Sequence, residues 1–313
     1  MKKSKKVFEL SGIVPPLVTP LNENFELDVP DLERLLDHVI GGGVSGVFIL
    51  GTTGEIPRFS FQLKKSVIEN TCRLVKGRVP VLVGITDTCM QESIRLEQIA
   101  SQCGADAVVL APPFYYHVEQ NELLEYFREI CGQIELPLYL YNMPSRTHID
   151  IEIGTVLKAT EIPGIVGIKD SSGDFIYMQK LLLALKGHPG FSVFVGPEEI
   201  MAASVLFGAS GGVSGGANMY PELFVNLFKA AREKDFETIY SLQDVVTQIS
   251  NTLYQSGNGN SNFIKILKEA LRQLGICKEI MAKPYLPFSD QEKMEIASCL
   301  DKIQIPGNIK VNS

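Results

Sequence analysis

The stretch IVGIKDSSGDFIYMQKLLLALKGHPGFSVFVG, residues 165–196, contains one complete unit of strand, helix and strand. The continuous apolar runs Ile165–Lys169 and Ser192–Gly196 are typical of strands in a parallel sheet that is covered on both faces. Between them, apolar side chains recur with the period of an amphipathic helix, at Met178, Leu181, Leu182 and Leu185. The stretch therefore predicts one βα unit followed by the next strand.

The same alternation of apolar runs and helical stretches continues along the chain. Eight runs have the composition of buried strands, at Gly12–Val18, Val47–Leu50, Pro80–Gly84, Ala107–Ala111, Pro137–Tyr141, Ile165–Lys169, Ser192–Gly196 and Gly211–Ser214. Eight βα units within about 225 residues predict a (β/α)8 TIM barrel, an α/β fold that typically needs about 250 residues. A doubly wound open sheet is the alternative, but no GxGxxG motif follows the first strand.

No strand-like run appears after Arg232, and the rest of the sequence has the pattern of helices. These helices are expected around residues 235–255, 261–275 and 289–302. We therefore expect two regions. Residues 1–234 form a (β/α)8 barrel that carries the active site, and residues 235–313 form a C-terminal helical region.

The composition excludes several classes of protein. The chain has 313 residues, of which 45% are apolar and 21% charged, so it is too apolar for a disordered protein. Its 29 Lys and Arg against 36 Asp and Glu give a net charge of −7, which argues against nucleic acid as the main partner. No run approaches the ~20 consecutive apolar residues of a membrane helix, so we expect no membrane association through a spanning segment.

Two further features indicate a cytoplasmic protein. The basic N-terminus MKKSKK is followed by Glu9, Pro15 and Pro16, rather than by the apolar core of a signal peptide. The six cysteines are scattered along the chain without a CxxC pair, which is typical of reduced thiols. We therefore expect the protein to be cytoplasmic.

Barrel enzymes carry their chemistry at the C-terminal ends of the strands, and Lys169 closes one of the apolar runs. Desolvation of a lysine in a barrel mouth favours the neutral amine, which attacks a ketone to form a Schiff base. Tyr141 ends the neighbouring strand, where a buried phenol can move protons. Each residue also has a purely structural interpretation. Lys169 could be a strand-end lysine that reaches solvent, and Tyr141 could be an aromatic side chain of the barrel rim.

Further polar residues follow other predicted strands. Thr52 and Thr53 lie in a glycine-flanked loop whose hydroxyls and amides bind a carboxylate or relay protons, unless the loop is a plain turn. Arg146 offers a guanidinium fork to a substrate carboxylate, or else forms a surface ion pair. The four histidines contain no HxH or HxxxH pair, so we expect no metal site. An unrelated barrel enzyme that uses Glu55 and Glu198 as acid and base is a further alternative.

Three motifs, GTTGE at Gly51–Glu55, YNMPSRT at Tyr141–Thr147 and GIKD at Gly167–Asp170, resemble those of the dihydrodipicolinate synthase/N-acetylneuraminate lyase family. The resemblance runs from about Gly12 to at least Phe224, and the motifs keep the family's order and spacing. It implies a (β/α)8 barrel with a helical C-terminal region. It also implies a class I aldolase that binds its substrate as a Schiff base and needs neither cofactor nor metal.

The resemblance implies roles for the half of the site that binds pyruvate. Lys169 matches the lysine that condenses with pyruvate, and Tyr141 matches the proton-transfer tyrosine. Thr52 and Thr53 match the pair that holds the pyruvate carboxylate, and Thr53 also matches a member of the proton relay in the synthases. Val213 falls where a backbone carbonyl meets the pyruvyl group.

The resemblance also concerns the second substrate and the assembly. Arg146 matches the synthase arginine that binds the carboxylate of the aldehyde partner. Tyr115 falls where the synthases place a relay tyrosine that the neighbouring subunit donates. The implied assembly is a homotetramer built from tight dimers.

The motifs leave the second substrate open. The sequence PSRT and Tyr115 favour 4-hydroxy-tetrahydrodipicolinate synthase, which condenses pyruvate with aspartate semialdehyde. The segments KDSSGD and GPEE are more similar to the lyases, whose carboxylates at the second segment bind sugar hydroxyls, so Gly196 and Glu198 are candidate substrate-binding residues. A 2-keto-3-deoxy sugar-acid aldolase or an N-acetylneuraminate lyase-type enzyme is therefore the alternative. A non-catalytic barrel that binds pyruvate or sugar acids is an alternative from another class.

Overall fold

The computed structural model describes residues 8–256 and 262–306. The basic residues 1–7 and the outer ends of both predicted regions, at residues 1 and 313, lie outside the described residues. Residue 261, where a C-terminal helix was expected to begin, also lies outside them.

Eight strands form one parallel sheet, as the apolar runs predicted. They are β1 (Gly12–Ile13), β2 (Val47–Ile49), β3 (Val81–Gly84), β4 (Ala107–Leu110), β5 (Leu138–Asn142), β6 (Ile165–Asp170), β7 (Ser192–Val195) and β8 (Gly211–Gly212). The first strand is shorter than the predicted Gly12–Val18, because Pro15 and Pro16 have no backbone N–H to donate to a neighbouring strand.

The strands follow one another around the sheet in the order β1-β8-β7-β6-β5-β4-β3-β2. Hydrogen bonds also join β2 to the segment that continues β1. Ser45 N–H donates to the Ile13 carbonyl at 2.8 Å, and Phe48 N–H donates to the Pro15 carbonyl at 3.0 Å. Leu17 N–H donates in turn to the Phe48 carbonyl at 2.8 Å. This consecutive order fits a (β/α)8 barrel and differs from a doubly wound sheet, in which the order reverses at a switch point.

The inward faces of the strands pack together in a separate apolar cluster, made of Leu10, Val14, Phe48, Leu82, Ala107, Val109, Ala111, Tyr139, Tyr141, Phe194 and Val213. Tyr139 and Phe194 meet edge to face, with 6.0 Å between ring centres. A Cβ atom at Gly167 would lie 2.4 Å from the Tyr139 ring, so glycine leaves the room that this ring fills. The interior of the barrel is therefore a packed core.

Helices cover the outside of the sheet and form the C-terminal region. They are α1 (Val29–Gly41), α2 (Phe61–Val75), α3 (Met90–Gln102), α4 (Gln120–Gln133), α5 (Pro144–Thr147), α6 (Ile153–Ala159), α7 (Phe175–Ala184), α8 (Met201–Leu206), α9 (Pro221–Glu233), α10 (Phe236–Thr252), α11 (Asn262–Gln273) and α12 (Asp290–Leu300). Helix α7, in the stretch quoted first, begins after Asp174, whose carboxylate accepts the N–H groups of Ile176 and Tyr177. Across the described part of the chain, every helix is too short or too polar to span a bilayer.

A buried ion pair joins the C-terminal region to the loop after β2. Lys268 Nζ lies 2.7 Å from Glu55 Oε1, and neither side chain is exposed to solvent. The other Glu55 oxygen accepts the Ala282 N–H at 3.0 Å, and Lys268 also donates to the Ile280 carbonyl at 2.6 Å. Because buried charges are stable only when paired and hydrogen bonded, these contacts fix the loop against the C-terminal region.

Candidate active site

A cavity of about 590 Å³ lies where the strands end. Its lining includes eight of the nine residues that the sequence singled out, Thr52, Thr53, Tyr141, Arg146, Lys169, Gly196, Glu198 and Val213. They come from the C-terminal ends of β5 and β6 and from the loops after β2, β5, β7 and β8. The barrel topology thus brings together side chains that are up to 161 positions apart (213 − 52 = 161).

Lys169 lies inside the mouth of this cavity and is only 7% exposed. Its Nζ atom lies 4.3 Å from the centre of the Tyr141 ring and 5.2 Å from the centre of the Phe48 ring. Among residues 8–256 and 262–306, no ion pair joins Lys169 to a carboxylate. The amine is therefore bounded by aromatic faces and open to the cavity, where a bound ketone can reach it.

Tyr141 and Lys169 are directly paired neighbours on β5 and β6, so their side chains emerge on the same face of the sheet. The next residue, Asp170, points to the opposite face, where its carboxylate accepts the Asn142 amide at 2.8 Å and the Ser172 hydroxyl at 3.0 Å. Burial raises the pKa of Asp170. Because side chains alternate between the two faces along β6, the buried acid Asp170 is kept apart from the Lys169 amine. The polar neighbour of that amine is the Tyr141 phenol.

The loop after β2 presents two hydroxyls to the cavity. Thr52 Oγ1 lies 3.3 Å from the Tyr141 hydroxyl, and Thr53 is buried in the lining. The loop is bounded by two residues with left-handed backbone, Leu50 at φ 55° and Glu55 at φ 60°. Since such conformations are costly for residues with a Cβ, their surroundings must hold them in place, which is common next to functional sites.

Three other predicted residues line the same cavity. Arg146 extends from the short helix α5, and Val213 follows β8. Gly196 follows β7, where a Cβ atom would lie 2.1 Å from the Ser171 hydroxyl, so no larger residue fits without displacing that loop. The three residues therefore border the space next to Lys169 from different strands.

Glu198 lines the cavity but is already bound to the protein. Its Oε1 atom accepts the Gly216 N–H at 2.5 Å, and its Oε2 atom accepts the Tyr254 hydroxyl at 3.1 Å. Burial, with a smaller contribution from the neighbouring Glu199, raises the pKa of Glu198 to about 7. The predicted contact with sugar hydroxyls stays a prediction, since a ligand would share or replace these partners.

The structure does not support the alternative in which Glu55 and Glu198 act together as acid and base. Glu55 is fully buried in its ion pair with Lys268, so its carboxylate is engaged with the C-terminal region. Glu198 likewise bonds to Gly216 and Tyr254. No pair of free carboxylates is therefore available in this part of the cavity lining.

Tyr115 is the one predicted site residue that does not line the cavity of its own chain. It is 78% exposed and contacts the ring of Tyr116 edge to face, with 5.0 Å between ring centres. Its predicted role in a neighbouring subunit's site stays a prediction.

The C-terminal region contributes residues to the lining that the sequence did not indicate, among them Ser250, Tyr254, Gln255, Phe263 and Tyr285. Sequence patterns alone could not find them, because their position depends on how α10, α11 and the segments that follow these two helices pack against the barrel. Across the described ranges, no three His, Cys, Asp or Glu side chains form a group that could hold a metal ion.

We expect Glu198 to make the folded protein less stable as the pH rises. Its pKa of about 7 in the folded chain exceeds its ordinary value of 4.5, so the folded state keeps a proton that the unfolded chain releases. The contribution of Glu198 to the free energy of unfolding should therefore fall by about 3 kcal/mol between about pH 4.5 and pH 7 and level off above. Glu198→Gln, which mimics the protonated acid, lacks this contribution, so its free energy of unfolding should fall less over this range than that of the unsubstituted protein.

Urea unfolding at several pH values from 5 to 8 measures this difference. Glu233→Gln is a matched control, because Glu233 is exposed at the end of α9. Identical pH dependence in Glu198→Gln and in the unsubstituted protein would contradict the expectation.

Comparisons with known proteins agree with this geometry. The family model for the dihydrodipicolinate synthetase family matches residues 9–303. A solved structure of dihydrodipicolinate synthase from Bacteroides thetaiotaomicron is 50% identical, covers 93% of this chain and 98% of its own, and superposes with a TM-score of 0.91. The 4-hydroxy-tetrahydrodipicolinate synthase of Polynucleobacter asymbioticus is 32% identical over 304 residues, which is 96% of this chain and 97% of that protein.

A third relative has a different name. YagE of Escherichia coli, a putative 2-dehydro-3-deoxy-D-gluconate aldolase, is 31% identical over 299 residues, covering 94% of this chain and 97% of that protein. Its structure, solved in complex with pyruvate, is 30% identical, covers 94% of this chain and 99% of its own, and has a TM-score of 0.89. With a family model that spans nearly all the described residues, the chain belongs to the dihydrodipicolinate synthetase family.

Proposed function

We propose that this protein is a pyruvate-dependent lyase or synthase that forms a Schiff base on Lys169. The observation that carries the proposal is the position of the Lys169 amine beside the Tyr141 ring, in a cavity that also contains the Thr52 and Thr53 hydroxyls. The pyruvate found in the YagE complex supports pyruvate as the ketone. The favoured reaction condenses pyruvate with aspartate semialdehyde, as the name of the Polynucleobacter relative suggests.

The first stage of the proposed reaction joins Lys169 to the ketone. The neutral amine attacks the keto carbon of pyruvate and forms a carbinolamine, which loses water to give an imine. Two protons must move, one from the amine to the departing oxygen and one to complete the water. The Tyr141 phenol is the group next to the amine, and its contact with Thr52 Oγ1 at 3.3 Å gives the proton a second oxygen.

The second stage makes the carbon–carbon bond. Loss of a proton from the methyl group converts the imine to an enamine, whose terminal carbon attacks the aldehyde carbon while the aldehyde oxygen takes up a proton. Water then releases the product from Lys169. Thr52 and Thr53 hold the pyruvate carboxylate, the carbonyl of Val213 meets the pyruvyl group, and Arg146 binds the carboxylate of the aldehyde.

The proposal extends to the fold, the assembly and the cellular location of the protein. The polypeptide forms a closed (β/α)8 barrel over residues 1–234 with a C-terminal helical region over residues 235–313, and it works without cofactor or metal because the imine on Lys169 activates the ketone. Tyr115 of a neighbouring subunit extends the proton relay of Tyr141, in a homotetramer that resides in the cytoplasm. The exposed position of Tyr115 supports this role, since a side chain that enters a neighbouring subunit's site must project from the surface of its own subunit.

A second candidate function is a 2-keto-3-deoxy sugar-acid aldolase. Two observations favour it, the name of YagE and the presence of Glu198 in the cavity lining, where the lyases bind sugar hydroxyls. The chemistry on Lys169 is the same, so the two candidates differ only in the aldehyde.

A panel of aldehydes tests the proposed function. The enzyme is supplied with pyruvate and, separately, with aspartate semialdehyde, N-acetylmannosamine, glyceraldehyde or glycolaldehyde, and the consumption of pyruvate is measured. We expect kcat/KM for aspartate semialdehyde to exceed that of each neutral aldehyde by about tenfold or more, because a guanidinium such as that of Arg146 attracts a substrate carboxylate far more strongly than a neutral group. Faster reaction with a neutral sugar would favour the aldolase. Absence of turnover with every aldehyde would contradict both candidates.

A further inference from the structure

Arg58 is a second arginine of the cavity, and the proposed reaction does not use it. It follows Pro57 in the loop after β2, the same loop that carries Thr52 and Thr53, and its side chain lines the cavity together with Tyr285 of the C-terminal region. The cavity thus has a third cation besides Lys169 and Arg146.

The guanidinium group of Arg58 lies over an aromatic ring. Its Cζ atom lies 3.4 Å from the centre of the half-buried Tyr285 ring, and Nη1 makes a long contact of 3.5 Å with the Ala282 carbonyl. A guanidinium donates hydrogen bonds in its own plane, so stacking on its face orients the donors without occupying them. Arg58 is therefore positioned to donate to a ligand.

Neighbouring acids do not neutralise this cation. In the ranges 8–256 and 262–306, ion pairs engage other arginines, such as Arg78 and Arg272, but none engages Arg58. The acids that line the same cavity have other partners: Glu55 pairs with Lys268, Glu198 with Gly216 and Tyr254, and Glu199 with Ser250. An anionic ligand would thus meet Arg58 without first displacing a carboxylate of the protein.

Arg58 enters the cavity from a different strand end than the amine that forms the imine. It follows β2, which is separated from β6, the strand of Lys169, by β3, β4 and β5. Thr53 and Lys169 are buried, whereas Arg58 is exposed, so Arg58 lies farther out than the residues assigned to pyruvate. Arg146, by contrast, follows β5, the strand next to Lys169.

We propose that Arg58 and Tyr285 form an outer anion subsite that, together with Arg146, binds a carboxylate or phosphate at the end of the aldehyde substrate remote from its carbonyl. This inference rests on the proposed function and narrows its substrate class to anionic aldehydes. Aspartate semialdehyde belongs to this class, as do sugar aldehydes that carry a terminal acid or phosphate. Neutral sugars such as N-acetylmannosamine do not.

Matched pairs of aldehydes test the subsite on the full-length enzyme with pyruvate. Glyceraldehyde is compared with glyceraldehyde 3-phosphate, and butanal with succinate semialdehyde, so that one pair adds a phosphate and the other a carboxylate. We expect the unsubstituted enzyme to prefer the anionic member of at least one pair, and the favoured pair identifies the anion. In Arg58→Met that preference should fall by about 10- to 100-fold, mainly through KM, and Arg58→Lys should recover part of it.

Arg95→Met is the matched control, because Arg95 also stacks on an aromatic ring, 4.0 Å from the centre of Phe61, but lies outside the cavity lining. Unfolding curves of each variant exclude loss of the fold. Equal use of charged and neutral aldehydes, or an anion preference that Arg58→Met leaves unchanged, would overturn the subsite. Borohydride trapping of pyruvate on Lys169 separates the outcomes. If the adduct forms but the enzyme shows no preference for anionic aldehydes, only the subsite is contradicted. If the adduct fails to form, the proposed function itself is contradicted.

Discussion

Replacing Lys169 with methionine is expected to lower kcat for pyruvate-dependent condensation by about 10⁴-fold or more. The amine is the only part of the side chain that can form the imine, and loss of a covalent nucleophile removes the whole route rather than one contribution to it. Methionine keeps an unbranched apolar chain between the Phe48 and Tyr141 rings, so the fold should persist. Steady-state rates and an unfolding curve measure the two effects separately.

Lys265→Met is the matched control for this variant. Lys265 also lies over an aromatic ring, 3.9 Å from the centre of Phe288, but it does not line the cavity. The control should retain the activity of the unsubstituted protein. A Lys169→Met variant with more than about one per cent of that activity would contradict the assignment of Lys169 as nucleophile.

Replacing Tyr141 with phenylalanine is expected to lower kcat by about 10²- to 10³-fold. The ring remains beside Lys169, but the hydroxyl that contacts Thr52 Oγ1 is lost, and with it the proton transfer proposed for imine formation and bond making. Because the carboxylate contacts of Thr52 and Thr53 remain, KM for pyruvate should change far less than kcat. The adduct on Lys169 should still form, but slowly.

Tyr139→Phe provides a control on the same strand. Tyr139 lies two residues earlier on β5 and faces the same interior cluster, but it does not line the cavity. The Tyr139→Phe variant also loses one buried hydroxyl, so it measures how this loss affects packing while the proposed proton path stays intact. If Tyr141→Phe were as active as Tyr139→Phe, the Tyr141 hydroxyl would have no part in the reaction.

Much of the fold follows from local patterns in the sequence. The strands begin and end within a few residues of the apolar runs, since a strand buried on both faces needs apolar side chains throughout. Two C-terminal helices also lie inside their expected ranges, α10 at Phe236–Thr252 and α12 at Asp290–Leu300. They were predictable because the amphipathic period of a helix is a local property of the sequence. The exception is β1, where prolines end the hydrogen-bonded pairing early.

The candidate site was predictable only in the part that lies at the strand ends. Lys169 and Tyr141 could be paired in advance, since neighbouring strands of a barrel place their last residues side by side. The contacts of Glu198 with Tyr254 and of Glu55 with Lys268 could not, because each joins the barrel to a distant helix with no shared motif. The role of Arg58 could not be predicted for the same reason, because its partner Tyr285 lies 227 positions later in the sequence (285 − 58 = 227).

His148 shows a local feature that only the structure gives. Its backbone is left-handed, with φ at 57°. Glycine adopts this conformation without strain, whereas a residue with a Cβ does so at a cost. The position at the end of α5 therefore favours glycine, and no pattern in the sequence indicated this.

Reduction with borohydride in the presence of pyruvate tests the central claim most directly. The treated protein is digested, and the peptides are compared by mass spectrometry with those of protein treated without pyruvate. The account predicts the mass of one reduced pyruvyl group on the peptide that contains Lys169, loss of activity in proportion to the modification, and no adduct in Lys169→Met. An unmodified Lys169 at saturating pyruvate, or an adduct confined to other lysines, would contradict it.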